Sequence, residues 1–261
     1  MLGTIIGDIA GSAYEFANYR AKDFAPFFHA KAKFTDDTVC TVAIADALLI
    51  GRDPADTLRD WCRRYYDNGG WGQRFALWIG DDEMGPYSSL GNGGAMRVSP
   101  AGLLAESVDD AIALANHATA ITHNHPEGMR GAAATAVAIH LANTGKSSSD
   151  IREAIGQRFD YNLSMTVDQI RPSYRHSERA ADTVPQALIC ALNATDFEDA
   201  IRNAISIGGD SDTIAAIAGG VAEALFGINE SIAAQAWRYL PQDMRAVLDS
   251  LYKASQQSGS R

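Results

Sequence analysis

The sequence predicts an all-α protein, and three observations support this fold class. Apolar residues recur every three or four positions along most of the chain, which is the spacing of one helix face. Alanine, the residue with the best helix propensity, is abundant throughout. No segment shows the strict alternation of apolar and polar residues that a half-buried strand requires. We therefore expect a chain built from helices of modest length.

Local start and stop signals mark several of these helices. Asp53 and Pro54 suit an N-cap followed by a first helical turn. Gly145 and Gly227 suit helix ends, and Ser147–Asp150 suits the cap of a further helix. In chain order, the periodicity predicts helices over residues 36–50, 53–67, 108–122, 128–143, 182–194, 197–207, 212–226, 230–239 and 242–254.

Three stretches between these helices, residues 18–34, 67–97 and 158–180, have the composition of loops. Loops of that length in a compact domain usually carry function. No linker rich in proline, glycine and serine divides the chain, so we predict a single domain over residues 1–261. Its polar tail, residues 255–261, is expected to fray.

The bulk properties exclude some classes of function. The chain has 261 residues, of which 46% are hydrophobic and 21% charged, as in an ordinary globular protein. Its formal net charge of −10 argues against nucleic acid as a partner, because non-specific binding to phosphates needs a basic surface. No run approaches the ~18 apolar residues of a membrane span. The first eleven residues contain Asp8 and no basic leader, unlike a signal peptide, so we expect a soluble, cytoplasmic protein.

The most informative pattern is a short acidic phrase that occurs twice, near opposite ends of the chain. Thr35–Val39 (TDDTV) and Asp210–Ile214 (DSDTI) each precede an apolar, alanine-rich run. Each phrase therefore places carboxylates and hydroxyls on the first turn of a predicted helix. If the fold brings the two helix starts together, the carboxylates would repel one another unless a cation lies between them. Because all the donors are hard oxygens, the pattern favours Mg²⁺ or Mn²⁺ over Zn²⁺.

Helix capping is the simpler interpretation of either phrase alone. Asp and Thr are ordinary N-caps, and a first-turn carboxylate gains from the helix dipole. The repetition favours a metal site for the pair, because a cap needs one side chain rather than three in a row. Gly208 and Gly209 before the second phrase also indicate a close approach of backbones.

The N-terminal segment offers a further set of spaced residues. Gly3, Gly7, Gly11 and Glu15 follow one another at intervals of four, so on a helix they would share one face. Such a glycine face lets a neighbouring helix approach closely, and packing alone would explain the glycines. Glu15 and Asp8 are candidates to join the acidic cluster.

The segment Ser88–Arg97 (SSLGNGGAMR) has the composition of a phosphate-binding loop. Its glycines flank Asn92, and a helix is expected to follow, so successive backbone N–H groups could form an anion cradle. Arg97 could add a charge-assisted hydrogen bond. A plain turn is an equal alternative, since glycine occurs in many loops.

Histidines and aromatic residues supply the remaining candidates. The phrase Thr122–Pro126 contains His123 and His125, but no second cluster of histidine or cysteine supports a metal site there. One of these histidines is more simply a ligand contact or a helix cap. The aromatic residues of the 67–97 stretch could stack on a base or fill the core, and the sequence does not separate these alternatives.

Together these phrases resemble the ADP-ribosylglycohydrolase family, which includes the ADP-ribosyl-arginine hydrolases and the dinitrogenase reductase–activating glycohydrolase. The matching segments follow the family's order over nearly the whole chain, and the TDDT and GGDSDT pair is the most specific. The resemblance implies a compact orthogonal multi-helix bundle with two Mg²⁺ or Mn²⁺ ions. The matching segments are Gly7–Phe16, Phe34–Thr38, Gly91–Arg97, Thr122–Pro126, Thr183–Leu188 and Gly208–Gly220.

The resemblance also assigns roles to individual residues. Glu15 matches the family's glutamate near the metals, and either Glu15 or Asp36 would accept the proton of the attacking water. The metal ligands implied are Thr35, Asp36, Asp37, Asp210, Asp212 and Thr213. The substrate-binding positions implied are Asn92, Gly93, Gly94 and His123, to which the loop chemistry adds Arg97.

The implied activity is hydrolysis of the glycosidic bond between ADP-ribose and an acceptor, through an oxocarbenium-like state. The guanidino nitrogen of arginine on a modified protein is the first expectation. A serine-type O-glycoside, a small ADP-ribosyl compound, a different metal hydrolase acting on a phosphate ester, and a protein that only binds ADP-ribose remain as alternatives. Four basic residues lie in the loop before the first acidic phrase, so the acceptor-facing surface is expected to differ from that of well-known members.

Overall fold

The computed structural model describes residues 1–258, and in this part of the chain every regular element is a helix. The all-α prediction is therefore confirmed. A single isolated antiparallel bridge joins Gly91 to Arg179 within these residues. The helices are α1 (Leu2–Gly11), α2 (Asp36–Ile50), α3 (Pro54–Arg64), α4 (Gln73–Gly80), α5 (Gly93–Met96), α6 (Ser99–Leu104), α7 (Val108–Thr119), α8 (Pro126–Asn143), α9 (Ser148–Phe159), α10 (Val167–Ile170), α11 (Ala180–Leu192), α12 (Phe197–Ser206), α13 (Ser211–Phe226), α14 (Glu230–Trp237) and α15 (Gln242–Ser258).

Every helix that the periodicity predicts is present, with ends that differ by a few residues. The largest difference is at α15, which continues to Ser258, so residues 255–258 of the expected frayed tail are helical. Residues 259–261 of that tail lie outside the described residues. Three short helices, α4, α5 and α10, fall within the stretches predicted as loops, because eight residues or fewer give too short a periodic pattern.

The N-terminal helix α1 is completely buried and packs directly against the backbone of α13. A Cβ atom added at Gly3 would lie 2.3 Å from the carbonyl oxygen of Gly219, and one added at Gly7 would lie 2.0 Å from that of Ala215. Both distances are far below van der Waals contact, so only glycine allows this approach. The glycine face expected from the sequence is therefore a surface for helix packing.

The same crossing aligns the end of α1 with the start of α13. The hydroxyl of Ser211 donates to the carbonyl oxygen of Gly11 at 3.1 Å. A Cβ at Gly11 would lie 2.5 Å from the Cα of Asp212, so the third glycine is required by the second acidic phrase itself. Through this contact the crossing brings Asp8 and Glu15 beside that phrase.

The hydrophobic core surrounds this pair of helices. It consists mainly of alanine, isoleucine and leucine from α2, α8, α11, α12 and α13, and the small alanine side chains let these helices pack closely. None of the helices in residues 1–258 has the length and apolar character needed to cross a membrane.

Candidate metal centre and substrate pocket

A cavity of about 550 Å³ opens above the starts of α2 and α13. A volume of that size is typical of a pocket for a small molecule. Both acidic phrases contribute to its wall, together with the Gly91–Gly93 loop and His123. The segments 70–75 and 176–179, from stretches predicted as functional loops, complete the lining.

The carboxylates of the two phrases converge in two overlapping groups. Asp8, Asp37 and Asp212 form one group, and Glu15, Asp210 and Asp212 form the other. In each group, one oxygen atom from each residue lies within 4.8 Å of the others, and Asp212 belongs to both. The structure thus brings the two helix starts together, and the arrangement offers two adjacent oxygen-lined positions that share one ligand.

Capping does not explain either phrase. The N-cap residues of α2 and α13 are Thr35 and Asp210, and neither side chain accepts a capping hydrogen bond. By contrast, Asp53 accepts hydrogen bonds from two backbone N–H groups at the start of α3, as an ordinary cap does. Within residues 1–258, the only backbone N–H that Asp212 accepts is the adjacent one of Thr213, at 3.0 Å, so N-capping does not account for the carboxylates of the two phrases.

Asp8 supports the start of α2 from outside the helix. Its carboxylate accepts the backbone N–H groups of Thr35 and Thr38 at 2.9 and 3.1 Å, which satisfies donors that the first turn leaves free. It also accepts the hydroxyl of Thr35 at 2.7 Å and the hydroxyl of Thr38. Because Thr35 donates its hydroxyl proton to Asp8, the lone pairs of that oxygen stay free to bind a cation.

The acidic cluster carries a strong electrostatic penalty without a counter-ion. Burial, followed by repulsion from neighbouring carboxylates, raises the pKa of Asp37 and Asp212 well above the usual range. Burial also raises the pKa of Asp8 to about 6, and burial with repulsion from Asp210 and Asp36 raises the pKa of Glu15 to about 7.

One oxygen of this cluster has no partner at all. The Oδ1 atom of Asp37 is buried and accepts no hydrogen bond within residues 1–258, while Oδ2 accepts the hydroxyl of Thr213 at 3.3 Å. An unsatisfied buried carboxylate oxygen is costly unless a cation binds it. The donor set, all oxygen and mutually repelling, therefore fits a divalent cation such as Mg²⁺ or Mn²⁺.

The stabilisation of the protein by added Mg²⁺ should increase with pH. A raised carboxyl pKa means that the folded, metal-free protein holds protons that the unfolded chain releases, so its stability falls as pH rises from 3.8 to about 6 for Asp8 and from 4.5 to about 7 for Glu15. For fully buried Asp8 alone the loss is about 3 kcal/mol. A bound cation removes this penalty, so the gain in melting temperature on adding Mg²⁺ should be larger at pH 8 than at pH 5, by roughly 5–10 °C. Equal gains at the two pH values would contradict the prediction.

Asp36 belongs to neither carboxylate group, although it lines the same cavity and its charge helps to raise the pKa of Glu15 and Asp37. It is half-buried, and its Oδ1 atom accepts the backbone N–H of Gly70 at 2.9 Å, which ties the 67–72 turn to the start of α2. Burial, with repulsion from Asp210, raises its pKa. Its predicted role as a metal ligand has less support than those of Asp37, Asp210 and Asp212.

Asn92 of the glycine loop lies against the second acidic phrase. Its side-chain amide donates to Asp210 at 2.6 Å and to the hydroxyl of Thr183 at 3.2 Å, both in the interior. Asn92 therefore orients a carboxylate of the centre, a contact that the predicted role in substrate binding does not require.

The two glycines after Asn92 allow close packing of the loop. A Cβ at Gly93 would lie 3.0 Å from Nε2 of His123, and one at Gly94 would lie 2.6 Å from the Thr119 side chain. The helix that follows, α5, has only four residues, so its dipole contributes little to anion binding. The space above the loop, rather than a helix start, is what could admit a ligand.

Arg97 lies deeper in the protein than a surface contact to a ligand requires, and its predicted role in substrate binding stays a prediction. Its side chain is fully buried, and Nη2 donates to the Ala118 carbonyl at 3.1 Å and to the Thr122 hydroxyl at 2.7 Å. The guanidinium thus lies against the C-terminal end of α7, where helix carbonyls favour a cation. Nη2 is committed to protein acceptors, whereas Nε has no hydrogen-bond partner within residues 1–258 and the residue contributes to the cavity lining.

The aromatic residues of the 67–97 stretch divide between core and cavity. Trp78 is buried and stacks on Phe75 with centroids 5.6 Å apart, so it belongs to the core. Tyr87 lines the cavity, with the guanidinium of Arg74 5.0 Å from its ring centroid. Sequence reasoning missed Arg74 because an isolated arginine in a loop carries no motif.

The sequence also did not predict the cavity-lining residues of the 158–180 stretch, because they belong to no recognisable motif. His176, Glu178 and Arg179 lie at the mouth of the cavity. Arg179 forms an ion pair with Glu127 at 2.7 Å, which fixes this edge to the start of α8. Only the length of the loop indicated a function for this segment.

Comparison with known proteins decides the family. A family model described as ADP-ribosylglycohydrolase matches residues 1–261. This chain belongs to the ADP-ribosylglycohydrolase family. The family is one of ADP-ribosylglycohydrolases, and its relatives Tri1 and ARH3 are named as ADP-ribosyl hydrolases, so the protein is an enzyme of the glycosidase class.

Individual relatives of this ADP-ribosylglycohydrolase are distant. ADP-ribosylarginine hydrolase Tri1 of Pseudomonas putida is 26% identical over 262 residues, which cover 88% of this chain and 70% of Tri1. ADP-ribosylhydrolase ARH3 of Homo sapiens is 31% identical over 188 residues, which cover 54% of this chain and 52% of ARH3. A solved chain of an ADP-ribosylglycohydrolase-related protein complex superposes with a TM-score of 0.74 and 26% identity, covering 97% of this chain and 95% of that one. The fold is therefore of the ADP-ribosylglycohydrolase type.

Proposed function

We propose that this enzyme is a metal-dependent ADP-ribosyl hydrolase that releases ADP-ribose from the guanidino nitrogen of arginine on a modified protein. The two overlapping carboxylate groups at the base of the cavity are the observation that carries the proposal. They offer a place for two divalent cations beside a pocket large enough for part of a nucleotide sugar.

Two considerations support arginine as the acceptor. The cavity is lined by several carboxylates, including Glu15, Asp36 and Glu178, which would attract a guanidinium group. The relative Tri1 is named for ADP-ribosylarginine. The relative ARH3 is named as an ADP-ribosylhydrolase without an acceptor, so a serine-type O-glycoside or a small ADP-ribosyl compound stays as the second candidate.

Asp37, Asp210 and Asp212, with the hydroxyls of Thr35 and Thr213, would hold the metal ions, which would supply Lewis-acid chemistry when bound. Glu15 accepts the proton of the attacking water. Glu15 lines the cavity and belongs to the carboxylate group of Asp210 and Asp212, so it lies beside the position where a cation would bind the water, whereas Asp36 is outside both groups.

The remaining steps follow from the charge of the site. As the bond to the acceptor lengthens, positive charge develops on the distal ribose, and the neighbouring carboxylates stabilise it. The proton taken up by Glu15 can then pass to the departing guanidine nitrogen. Asn92 holds Asp210 in place during these steps through its 2.6 Å hydrogen bond.

A panel of ADP-ribosylated substrates tests the function directly. Peptides carrying ADP-ribosyl-arginine or ADP-ribosyl-serine, and a small ADP-ribosyl compound, would be incubated with the enzyme in Mg²⁺ and in chelator. We expect release of ADP-ribose from the arginine peptide in Mg²⁺ only. Release from serine but not arginine would favour the second candidate, and release from neither peptide would refute the arginine proposal.

Gly93→Val should weaken the binding of ADP-ribose by at least about tenfold, equivalent to ~1.4 kcal/mol. A Cβ at this position already lies 3.0 Å from Nε2 of His123, so the larger side chain would displace His123 and fill the space above the loop. Calorimetry with ADP-ribose measures the loss. Metal affinity should be nearly unaltered, because the carboxylates come from other segments.

Gly85→Val is the matched control for this substitution. Gly85 is in the same long stretch, but a Cβ there meets nothing within 4 Å. If Gly93→Val binds ADP-ribose as tightly as Gly85→Val does, the loop is a structural turn and the ligand lies elsewhere.

A further inference from the structure

A chain of hydrogen bonds leads from the interior to the imidazole of His123. Nη2 of Arg97 donates to the hydroxyl oxygen of Thr122 at 2.7 Å. That hydroxyl oxygen lies 2.8 Å from Nδ1 of His123. All three side chains are buried, with exposed fractions of 0%, 0% and 6% for Arg97, Thr122 and His123. Water therefore has little access to rearrange these bonds.

The direction of each bond follows from the chemistry of the donors. A guanidinium can only donate, so the Thr122 oxygen accepts from Arg97. The hydroxyl hydrogen of Thr122 must then be given to another acceptor, and Nδ1 of His123 is the acceptor within reach. If Nδ1 accepts, the single proton of a neutral imidazole is on Nε2.

We propose that Arg97 and Thr122 are positioning residues that fix His123 as the neutral tautomer protonated at Nε2, so that it donates a hydrogen bond to an acceptor oxygen of a ligand above the Gly91–Gly93 loop. This inference rests on the direction of the hydrogen bonds from Arg97 to His123 and on the orientation of Nε2. That the acceptor oxygen belongs to ADP-ribose rests on the proposed function, whereas the tautomer does not.

The position of Nε2 agrees with this role. Cβ atoms built at Gly91 and Gly93 would lie 3.5 and 3.0 Å from it, so the imidazole edge faces the part of the cavity that these glycines leave open. Within residues 1–258, no protein group forms a hydrogen bond with Nε2. A donor aimed into an open cavity without a protein acceptor is available to a ligand.

Charge and burial keep this imidazole neutral. Burial, followed by the positive charge of Arg97, lowers the pKa of His123 well below its ordinary value of 6.5. A neutral ring has one donor nitrogen and one acceptor nitrogen, so the hydrogen bond at Nδ1 decides whether Nε2 presents a donor or an acceptor to the cavity. Through the hydroxyl of Thr122, the buried guanidinium of Arg97 thus influences the group that His123 presents to the cavity.

The tautomer can be read in the intact, metal-free protein by long-range ¹H–¹⁵N NMR of the imidazole nitrogens. His123→Gln identifies the His123 signals among those of the six histidines. In the wild type we expect the signature of a protonated Nε2 and an unprotonated Nδ1. A protonated Nδ1, or a charged ring at pH 7, would overturn the proposal whatever the enzyme hydrolyses.

Two substitutions at Thr122 separate positioning from packing. Thr122→Val keeps the shape but removes the hydroxyl, so the ring should lose its fixed tautomer and ADP-ribose should bind roughly tenfold more weakly. Thr122→Ser keeps the hydroxyl and should preserve both the NMR signature and the affinity. If Thr122→Val keeps the Nε2-protonated signature and wild-type affinity, the hydroxyl has no positioning role and the proposal fails.

Arg97→Met provides an independent test from the other end of the chain of bonds. Without the guanidinium, Thr122 can rotate and accept from Nδ1, so we expect a mixture of tautomers. A pure Nε2-protonated signature in a folded Arg97→Met protein would contradict the role of Arg97. Should no ADP-ribosyl substrate be cleaved while the tautomer behaves as described, the proposed function alone would be lost.

Discussion

Asp212→Ala is expected to reduce hydrolysis by roughly a thousand-fold or more while leaving the protein folded. Asp212 is the one residue that belongs to both carboxylate groups, so its loss removes a ligand from each of the two cation positions. The metal contribution to such a reaction is worth several kcal/mol, and about 4 kcal/mol corresponds to a thousand-fold in rate. Asp37→Ala should have a similar effect, because it removes the buried carboxylate whose Oδ1 atom has no protein partner.

Stability separates this outcome from general damage to the fold. In the metal-free protein Asp212 is a buried carboxyl group whose pKa is raised well above the usual range by burial and by Asp37. Replacing it with the uncharged isostere in Asp212→Asn should therefore keep or raise the melting temperature. Activity and stability would move in opposite directions, as expected where a site is built for function rather than for stability.

Asp53→Ala supplies the matched control. Asp53 is an aspartate at a helix start that accepts two backbone N–H groups, so its removal should cost about 1 kcal/mol of stability and leave activity unchanged. If Asp212→Ala instead behaves like Asp53→Ala, with near-normal turnover and a small loss of stability, then the second acidic phrase is a cap and the proposed centre is wrong.

The helix starts were predictable from sequence because their signals are local. The acidic phrases fall at the first turns of α2 and α13, and the alanine-rich runs that follow have clear helical periodicity. The spacing of the N-terminal glycines predicted a packing face, yet its partner was unknown. That partner is α13, and the crossing depends on backbone contacts, such as Gly7 with Ala215, that no local pattern encodes.

Asp8 and Arg97 show where sequence reasoning stops. Asp8 was a candidate for the acidic cluster, but its four hydrogen bonds to Thr35 and Thr38 are tertiary contacts. Arg97 follows a glycine-rich turn, and arginine is mostly exposed in proteins, so a position facing the ligand was the natural expectation. The structure buries its guanidinium against the end of α7, which supplies two of its acceptors, while the residue still contributes to the cavity lining.

The sequence also could not predict which carboxylates of the acidic phrases converge on the same position. Four carboxylates were visible in two phrases, but which of them share a position depends on the angle between α2 and α13. Asp36 and Asp37 are neighbours in the chain, and yet only Asp37 belongs to one of the two groups of converging carboxylates. Helical geometry turns successive side chains by about 100°, so the two point in different directions. Asp36 points to Gly70 instead.

Removal of divalent cations is expected to abolish hydrolysis, and Mg²⁺ or Mn²⁺ should restore it while Zn²⁺ restores it poorly. The two carboxylate groups contain only oxygen donors, and Zn²⁺ sites in proteins normally use histidine or cysteine. The protein would be dialysed against a chelator, and activity would be measured as each metal is returned. Full activity in the stripped protein would refute the metal centre.

Proton release gives a readout of the same event that does not depend on turnover. Glu15 has a pKa of about 7 and Asp8 of about 6 without a cation, so part of the cluster is protonated near neutral pH. A cation must displace those protons, and calorimetric titration of Mg²⁺ at pH 6.5 in buffers of different ionisation enthalpy should detect their release. Asp212→Asn should bind Mg²⁺ weakly and release few protons, because it lacks the ligand that both positions share. Tight binding without proton release in the wild type would mean that the cation lies outside this cluster, since the buried carboxyls cannot coordinate it while they remain protonated.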